Sequence, residues 1–157
     1  GITMSYGNWT LRTNFNYRFG FKVVNKARMD LQSMSGSYNQ TSAVNYRWRK
    51  DGDVTPMPRA MYGSTAAYNY LGSDRYVEDA SFVRFQYFQL TYRVPSKLLK
   101  PLGLNSLSVY LSGNNLFCWT KYSGTDPEHS VKSYSYAIDE SNTPRSKSFT
   151  VGLNVSF

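Results

Sequence analysis

From Trp9 to Val23 the chain alternates. The odd positions Trp9, Leu11, Phe15, Tyr17, Phe19, Phe21 and Val23 are large and mostly apolar, with Thr13 the one small polar residue among them. The even positions Thr10, Arg12, Asn14, Asn16, Arg18, Gly20 and Lys22 are polar, cationic or glycine. Successive side chains of a strand point to opposite faces, so this spacing predicts one strand with an apolar and a polar face. It is long. Soluble strands average about 5–6 residues, whereas a tilted membrane-crossing strand needs about 9–11. The last residues repeat the pattern: Phe149, Val151, Leu153, Val155 and Phe157 alternate with Thr150, Gly152, Asn154 and Ser156. Leu107 to Trp119 does so with its apolar face interrupted at Gly113 and Asn115.

The stretch from Ser81 to Val94 changes phase. Val83, Phe85 and Tyr87 share one parity, and Phe88, Leu90, Tyr92 and Val94 the other. A β-bulge near Tyr87-Phe88 accounts for the step, because one extra residue flips the side of everything after it. Arg84, Gln86, Gln89, Thr91 and Arg93 then fall together on the polar face. Ile2, Met4 and Tyr6 read as the end of a further strand, joined to the next by a Gly7-Asn8 turn.

The connections alternate in length. Gly7-Asn8 is tight, and Pro95 to Leu104 is short, with one helical turn that Ser96 can cap and Pro101 and Gly103 end. Residues 25–80 and 121–146 are long, the first carrying a predicted short helix over Ala27 to Met34. Antiparallel strands joined in this way place all the long loops at one end. Outer-membrane barrels have this asymmetry, with short periplasmic turns and long extracellular loops.

Composition narrows the choice. Aromatics make up 17% of the 157 residues and charged residues only 18%, while mean hydropathy is -0.50. Aromatic richness argues against disorder. The longest apolar run, Leu116 to Trp119, is far too short for a membrane-spanning helix. One Cys forms no intrachain disulfide, and one His excludes the usual multi-histidine metal sites. No cofactor is implied. The net charge of +8 carries no nucleic-acid motif with it. Two architectures remain: a soluble basic β-sandwich domain binding glycan or nucleic acid, or a transmembrane barrel with its apolar face to lipid. Strand length, aromatics near strand ends (Trp9, Trp119, Phe149, Phe157) and the lopsided loops favour the barrel. Four full strands and a partial one cannot close, since the smallest such barrels have about eight. Residues 1–157 are therefore expected to be part of a larger barrel, its earlier strands lying outside them or in another chain.

Several runs resemble a known family. Ser81-Phe82-Val83-Arg84-Phe85 and Leu90-Thr91-Tyr92-Arg93-Val94-Pro95 are similar to a strand near the end of SusC/RagA-type TonB-dependent outer-membrane transporters. Leu107 to Phe117, Trp119-Thr120-Lys121-Tyr122-Ser123-Gly124 and Asp126-Pro127-Glu128 resemble the family's next segment more closely, with Cys118 where Thr is usual. Ser148 to Phe157 resembles its closing strand, and Arg47-Trp48-Arg49-Lys50-Asp51-Gly52-Asp53 with Pro58-Arg59 resembles one of its loops. The resemblance implies the last strands of an antiparallel, all-β barrel of about 22 strands. It also implies a plug, a SusD-like surface lipoprotein as lid, and import of oligosaccharides or peptides energised through TonB. The implied location is the outer membrane of a Gram-negative, Bacteroidetes-like bacterium. No enzymatic role is implied.

Candidate functional residues follow. Arg12, Asn14, Asn16, Arg18 and Lys22 are expected to face the lumen, where a barrel needs polar groups in any case. Arg47, Trp48, Arg49 and Lys50 are candidates for ligand or lid contact, since aromatic faces stack on sugars and Arg donates paired bonds. Phe149, Val151, Leu153, Val155 and Phe157 resemble the signal read by the outer-membrane assembly machinery. Asp126 and Glu128 flank Pro127 and read as loop-fixing residues before they read as a hydrolase pair. Asp51-Gly52-Asp53 lacks the further ligands of a calcium loop. Cys118 reads as a packed residue, and Cys118 with His129 makes a poor catalytic pair.

Overall fold

The computed structural model describes residues 1–61, 73–128, 137–141 and 143–157. The chain divides into two units. One comprises Gly1–Phe19, Ser81–Lys121 and Pro144–Phe157, the other Gly20–Ala80 and Tyr122–Thr143.

The first unit is a five-stranded antiparallel sheet built from β1 (Ile2–Tyr6), β2 (Trp9–Arg18), β5 (Phe82–Arg93), β6 (Ser106–Thr120) and β8 (Ser148–Ser156), in the order β1-β2-β5-β6-β8. The expected four full strands and a partial one are present. Gly7 has a φ of 57° and makes the first central position of the two-residue turn between β1 and β2, as a II′ hairpin requires. Between β5 and β6, α2 (Ser96–Leu99) runs into a 3-10 turn over Lys100–Leu102, closed by Gly103 at φ 71°. Pro95 takes the position before the helix and Ser96 is its first residue, so Ser96 is not the cap.

Register carries one class of residue across the sheet in rows. Met4, Leu11, Leu90, Leu111 and Val151 lie side by side, one per strand. The adjacent row on the other face is Thr3, Arg12, Gln89, Ser112 and Thr150. The phase change in β5 is a bulge, with Gln86 as the extra residue opposite the Asn14–Phe15 step of β2. Between the Phe15–Phe85–Phe117 row and the Thr13–Phe88–Gly113 row, each strand from β2 to β6 inserts one residue more than the last. Asn115, at φ 52°, occupies the extra length in β6. Such insertions bend and twist a sheet. Tyr87 consequently pairs with Asn14 and Asn114 on the polar face, where the parity of Val83 and Phe85 had placed it with the apolar residues.

Two glycines sit under aromatic rings of the neighbouring strand. A Cβ at Gly152 would lie 2.3 Å from Cζ of Tyr110, its register partner. A Cβ at Gly113 would lie 3.3 Å from the ring of Phe149, its partner on the opposite face. Each ring fills the space its glycine leaves.

The second unit holds a smaller sheet in the order β4-β3-β7, with β3 (Lys22–Asn25) antiparallel to β4 (Val77–Asp79) and parallel to β7 (Ile138–Asp139). The alternation from Trp9 to Val23 is thus two strands and not one. Gly20, at φ 72°, breaks it, and Lys22 pairs with Asp79 in this second sheet. The expected helix is α1 (Lys26–Leu31), shorter than the predicted 27–34 and capped by the Asn25 side chain, which accepts from the Arg28 amide at 2.9 Å. Val23, Ala80, Tyr122 and Ala137 form one buried cluster, and Met34, Val44 and Met57 another.

Candidate functional site

Among the described residues, no second layer covers the sheet of the first unit. Val151 is 73% exposed, Phe149 69% and Trp119 55%, and the apolar row side chains of every strand share this exposure to some degree. An apolar surface of this extent marks an interaction with a membrane or a partner. Aromatic pairs lie toward both ends of the strands. Trp9 and Tyr92 have ring centroids 4.7 Å apart at the short-turn end. Tyr17 and Phe19, and Phe117 and Trp119, pair toward the other end at 5.8 and 6.1 Å. Trp9 to Tyr17 spans about 26 Å along the strand at about 3.3 Å per residue. The apolar band of an outer-membrane barrel is about 25 Å tall, with an aromatic girdle at each edge. A soluble sandwich would have to cover this face with a second sheet. The sandwich alternative fails on that point.

The opposite face is a polar ladder. Tyr87 donates to Gln89, and Gln89 Nε2 donates to Thr91 Oγ1 at 3.0 Å. Asn14 Nδ2 lies 3.5 Å from Gln86 Oε1, and Asn114 Nδ2 donates to Ser148 Oγ at 3.2 Å. Arg84 is 4% exposed, with its guanidinium carbon 5.7 Å from the centroid of the Phe82 ring. Arg12, Asn14, Asn16 and Arg18 share this face, at the register positions of Gln89, Tyr87, Arg84 and Phe82. Lys22 does not join them, because its strand belongs to the other sheet.

The second unit is held by a polar hub that the sequence did not reveal. Glu78 on β4 accepts from Arg28 Nη1 at 2.8 Å, Asn25 Nδ2 at 3.3 Å, and the amide and hydroxyl of Ser123 at 3.0 and 2.9 Å. Burial pushes its carboxyl pKa up, but the bonds from Ser123 and Arg28 outweigh this and leave it below the usual carboxylate range. Tyr122 donates to Asp139 Oδ2 at 2.7 Å, and Asp139 Oδ1 accepts from the Ser141 amide. Burial first, then the bond to Asp139, raises the Tyr122 phenol well above its ordinary value. A Cβ at Gly124 would lie 2.3 Å from the Tyr122 ring. The Tyr122-Ser123-Gly124 run therefore anchors a loop. Asp126 accepts from the Glu128 amide at 2.9 Å across Pro127, the loop-fixing arrangement expected of it.

The basic loop resolves into parts. Asp53 Oδ2 accepts from the amides of Arg49 and Lys50 at 3.0 and 3.1 Å, and Gly52 takes a φ of 94°. The Asp51-Gly52-Asp53 run is thus a turn. Arg49 Nη2 donates to the Asn45 carbonyl and the Trp48 amide to the Met57 carbonyl. Beside it lies a groove of about 740 Å³ lined by Arg28, Tyr46, Arg47, Met57 and Arg75, among others. Of the candidates Arg47, Trp48, Arg49 and Lys50, Arg47 alone lines it. Arg28 and Arg75 come from distant positions in sequence, so no local motif could have found them; Tyr46 adjoins Arg47 in sequence. No group of metal-ligating side chains occurs among the described residues, and His129 lies outside them.

No family model matches the chain. Relatives do. Two TonB-dependent receptors of Formosa agariphila are 29% and 27% identical over 98% and 99% of this chain, and a third is 30% identical over 91%. The RagAB peptide transporter matches 98% of the chain with a TM-score of 0.79 and 26% identity, and the RagAB peptide importer in its open-open state with a TM-score of 0.76. The chain is a barrel segment of a TonB-dependent receptor. It is of the SusC/RagA type. It spans 14–16% of the length of the curated receptors it matches and 16% of the RagAB chain. The receptor family resides in the outer membrane, and these relatives are receptors and transporters, not enzymes. The five-stranded antiparallel sheet is therefore part of a transmembrane barrel.

Proposed function

We propose that the receptor containing this segment is an active importer of peptides or oligosaccharides. It draws energy through TonB and is capped by a SusD-like surface lipoprotein. The single observation that carries this reading is the likeness of the chain, with its one-sided sheet, to a peptide transporter over 98% of its length. In this reading residues 1–157 contribute the C-terminal barrel strands, and the connections at about 25–80 and 121–146 are extracellular. The exposed apolar rows meet lipid. Arg12, Asn14, Asn16 and Arg18 line the lumen or meet the plug, giving it a wet, cationic wall. Phe149, Val151, Leu153, Val155 and Phe157 present the edge that the assembly machinery captures by strand addition.

The test uses the full-length receptor in its host. Uptake of fluorescent oligopeptides and of oligosaccharides is compared among wild type, a receptor deletion, and deletions of TonB and of the neighbouring lipoprotein gene. Loss of uptake of one class in the receptor and TonB deletions supports the reading. Unchanged uptake of both classes in the receptor deletion contradicts it.

A further inference from the structure

We propose that the groove beside the basic loop is a substrate subsite that takes a carboxylate next to an apolar side chain, so that acidic peptides are the preferred cargo. The proposal deepens the import reading and rests on it.

The chain has 10 acidic residues, and all of them lie among the described residues. The ion pairs among those residues are Lys26–Glu140 and Arg28–Glu78. Arg28 thus already has a carboxylate at the groove, at 2.8 Å. Arg47 and Arg75 have neutral partners. Arg47 Nη1 donates to the Val44 carbonyl at 3.2 Å. Arg75 Nη2 donates to Gln32 Oε1 at 3.4 Å, contacts the Met57 sulfur and lies 5.4 Å over the Tyr76 ring. Asp53 is the acidic residue lining the groove, and its Oδ2 already takes the amides of Arg49 and Lys50.

Two guanidiniums without a carboxylate therefore border one groove. An Arg fork matches a carboxylate in geometry and charge, and the pairing is among the stronger hydrogen bonds. The floor is apolar and adaptable. Met57 is 5% exposed and packs with Met34 and Val44. Methionine adjusts its shape to varied side chains at low cost. Tyr46, 76% exposed, adds an aromatic face at the rim. A neutral oligosaccharide would leave the two cations unmatched and the methionine floor uncovered by apolar atoms. A peptide carrying Asp or Glu beside an apolar residue satisfies both.

The experiment uses the full-length receptor purified with its lipoprotein partner. Titrations measure Kd for three labelled peptides of equal length, one acidic, one neutral and one basic. Wild type is expected to bind the acidic peptide most tightly. Arg47→Gln with Arg75→Gln should weaken it at least about tenfold, because each charged hydrogen bond removed is worth that much or more. The neutral peptide should change by less than about twofold. Arg47→Lys with Arg75→Lys keeps the charge and should retain part of the preference, which separates a binding effect from a misfolded loop. Equal acidic-peptide affinity in wild type and the Gln pair overturns the proposal, as does a wild type without acidic preference. If the receptor binds neutral peptides without discrimination, the import reading stands and the subsite is wrong. If it binds and imports no peptide of any charge, the peptide form of the import reading fails first.

Discussion

Val151 and Thr150 are neighbours in β8 and belong to opposite faces, so the same substitution at each gives an internal comparison. Val151 sits in the row Met4, Leu11, Leu90, Leu111, Val151, near mid-strand and 73% exposed. Thr150 is in the adjacent row with Ser112, Gln89, Arg12 and Thr3. If the first row meets hydrocarbon, Val151→Arg places a guanidinium near the bilayer midplane, at about 2–4 kcal/mol. That corresponds to about a 30-fold to 900-fold shift in the folding equilibrium. Thr150→Arg adds a cation to a face that already carries Arg12, and should stay within about 0.5 kcal/mol, as polar surface changes usually do. The assay is urea unfolding of the full-length receptor in lipid vesicles, read by heat-modifiable gel mobility. A water-facing Val151 would tolerate arginine as well as Thr150 does. Equal effects at the two positions, or a larger effect at Thr150, refute the assignment of faces.

Gly152→Ala drives a Cβ into the Tyr110 ring and should destabilise the barrel by about 1–3 kcal/mol, with Tyr110→Ala recovering much of the loss in the double variant, both read by the same urea assay. Glu78 has a folded-state pKa below its ordinary value, so its contribution is present above about pH 4.3 and is lost as pH falls through the lower, folded value. Hydrogen-exchange protection at Ser123 should fall on acidification below that range, and Glu78→Gln should lack this pH dependence; identical pH profiles would refute the hub. Deleting Phe157 from the full-length receptor should lower its assembled level in the outer membrane, measured by quantitative immunoblot of the heat-modifiable form, and an unchanged level would remove Phe157 from the assembly signal.

The barrel sheet was legible where side chains alternate over whole strands. Phe149 to Phe157 and Trp9 to Tyr17 carry their register in their own pattern, and the bulge in β5 appeared as a phase change one residue after its location at Gln86. The end of β2 was not legible, because Phe19, Phe21 and Val23 continue its alternation and Gly20 fits the polar parity. Only a backbone turn at Gly20 and a change of pairing partner end the strand, and neither leaves a trace in hydropathy. The second unit was hidden for a different reason. Its strands have two to four residues, and β3 pairs in parallel with β7, more than a hundred residues later. Glu78, Asn25, Arg28, Ser123 and Asp139 meet through that pairing, so no window of sequence contains the hub. Tyr122, Ser123 and Gly124 were visible as a motif, but their work in fixing a loop became readable only with Asp139 and Glu78 in place. Arg47 was the one groove arginine within a visible charge cluster; Arg28 and Arg75 lie in unremarkable sequence.

The central claim is that one face of the five-stranded sheet meets lipid and the other meets water. Single cysteines at positions 149, 150, 151, 153, 154 and 155, leaving Gly152 in place under the Tyr110 ring, can each carry a nitroxide in a Cys118→Ser background of the full-length receptor in vesicles. Accessibility to oxygen, which concentrates in lipid, and to a water-soluble nickel complex is then measured at every position. The expected result is a period of two, with oxygen favoured at 149, 151, 153 and 155 and nickel at 150 and 154. A flat profile, or the opposite phase, would contradict it.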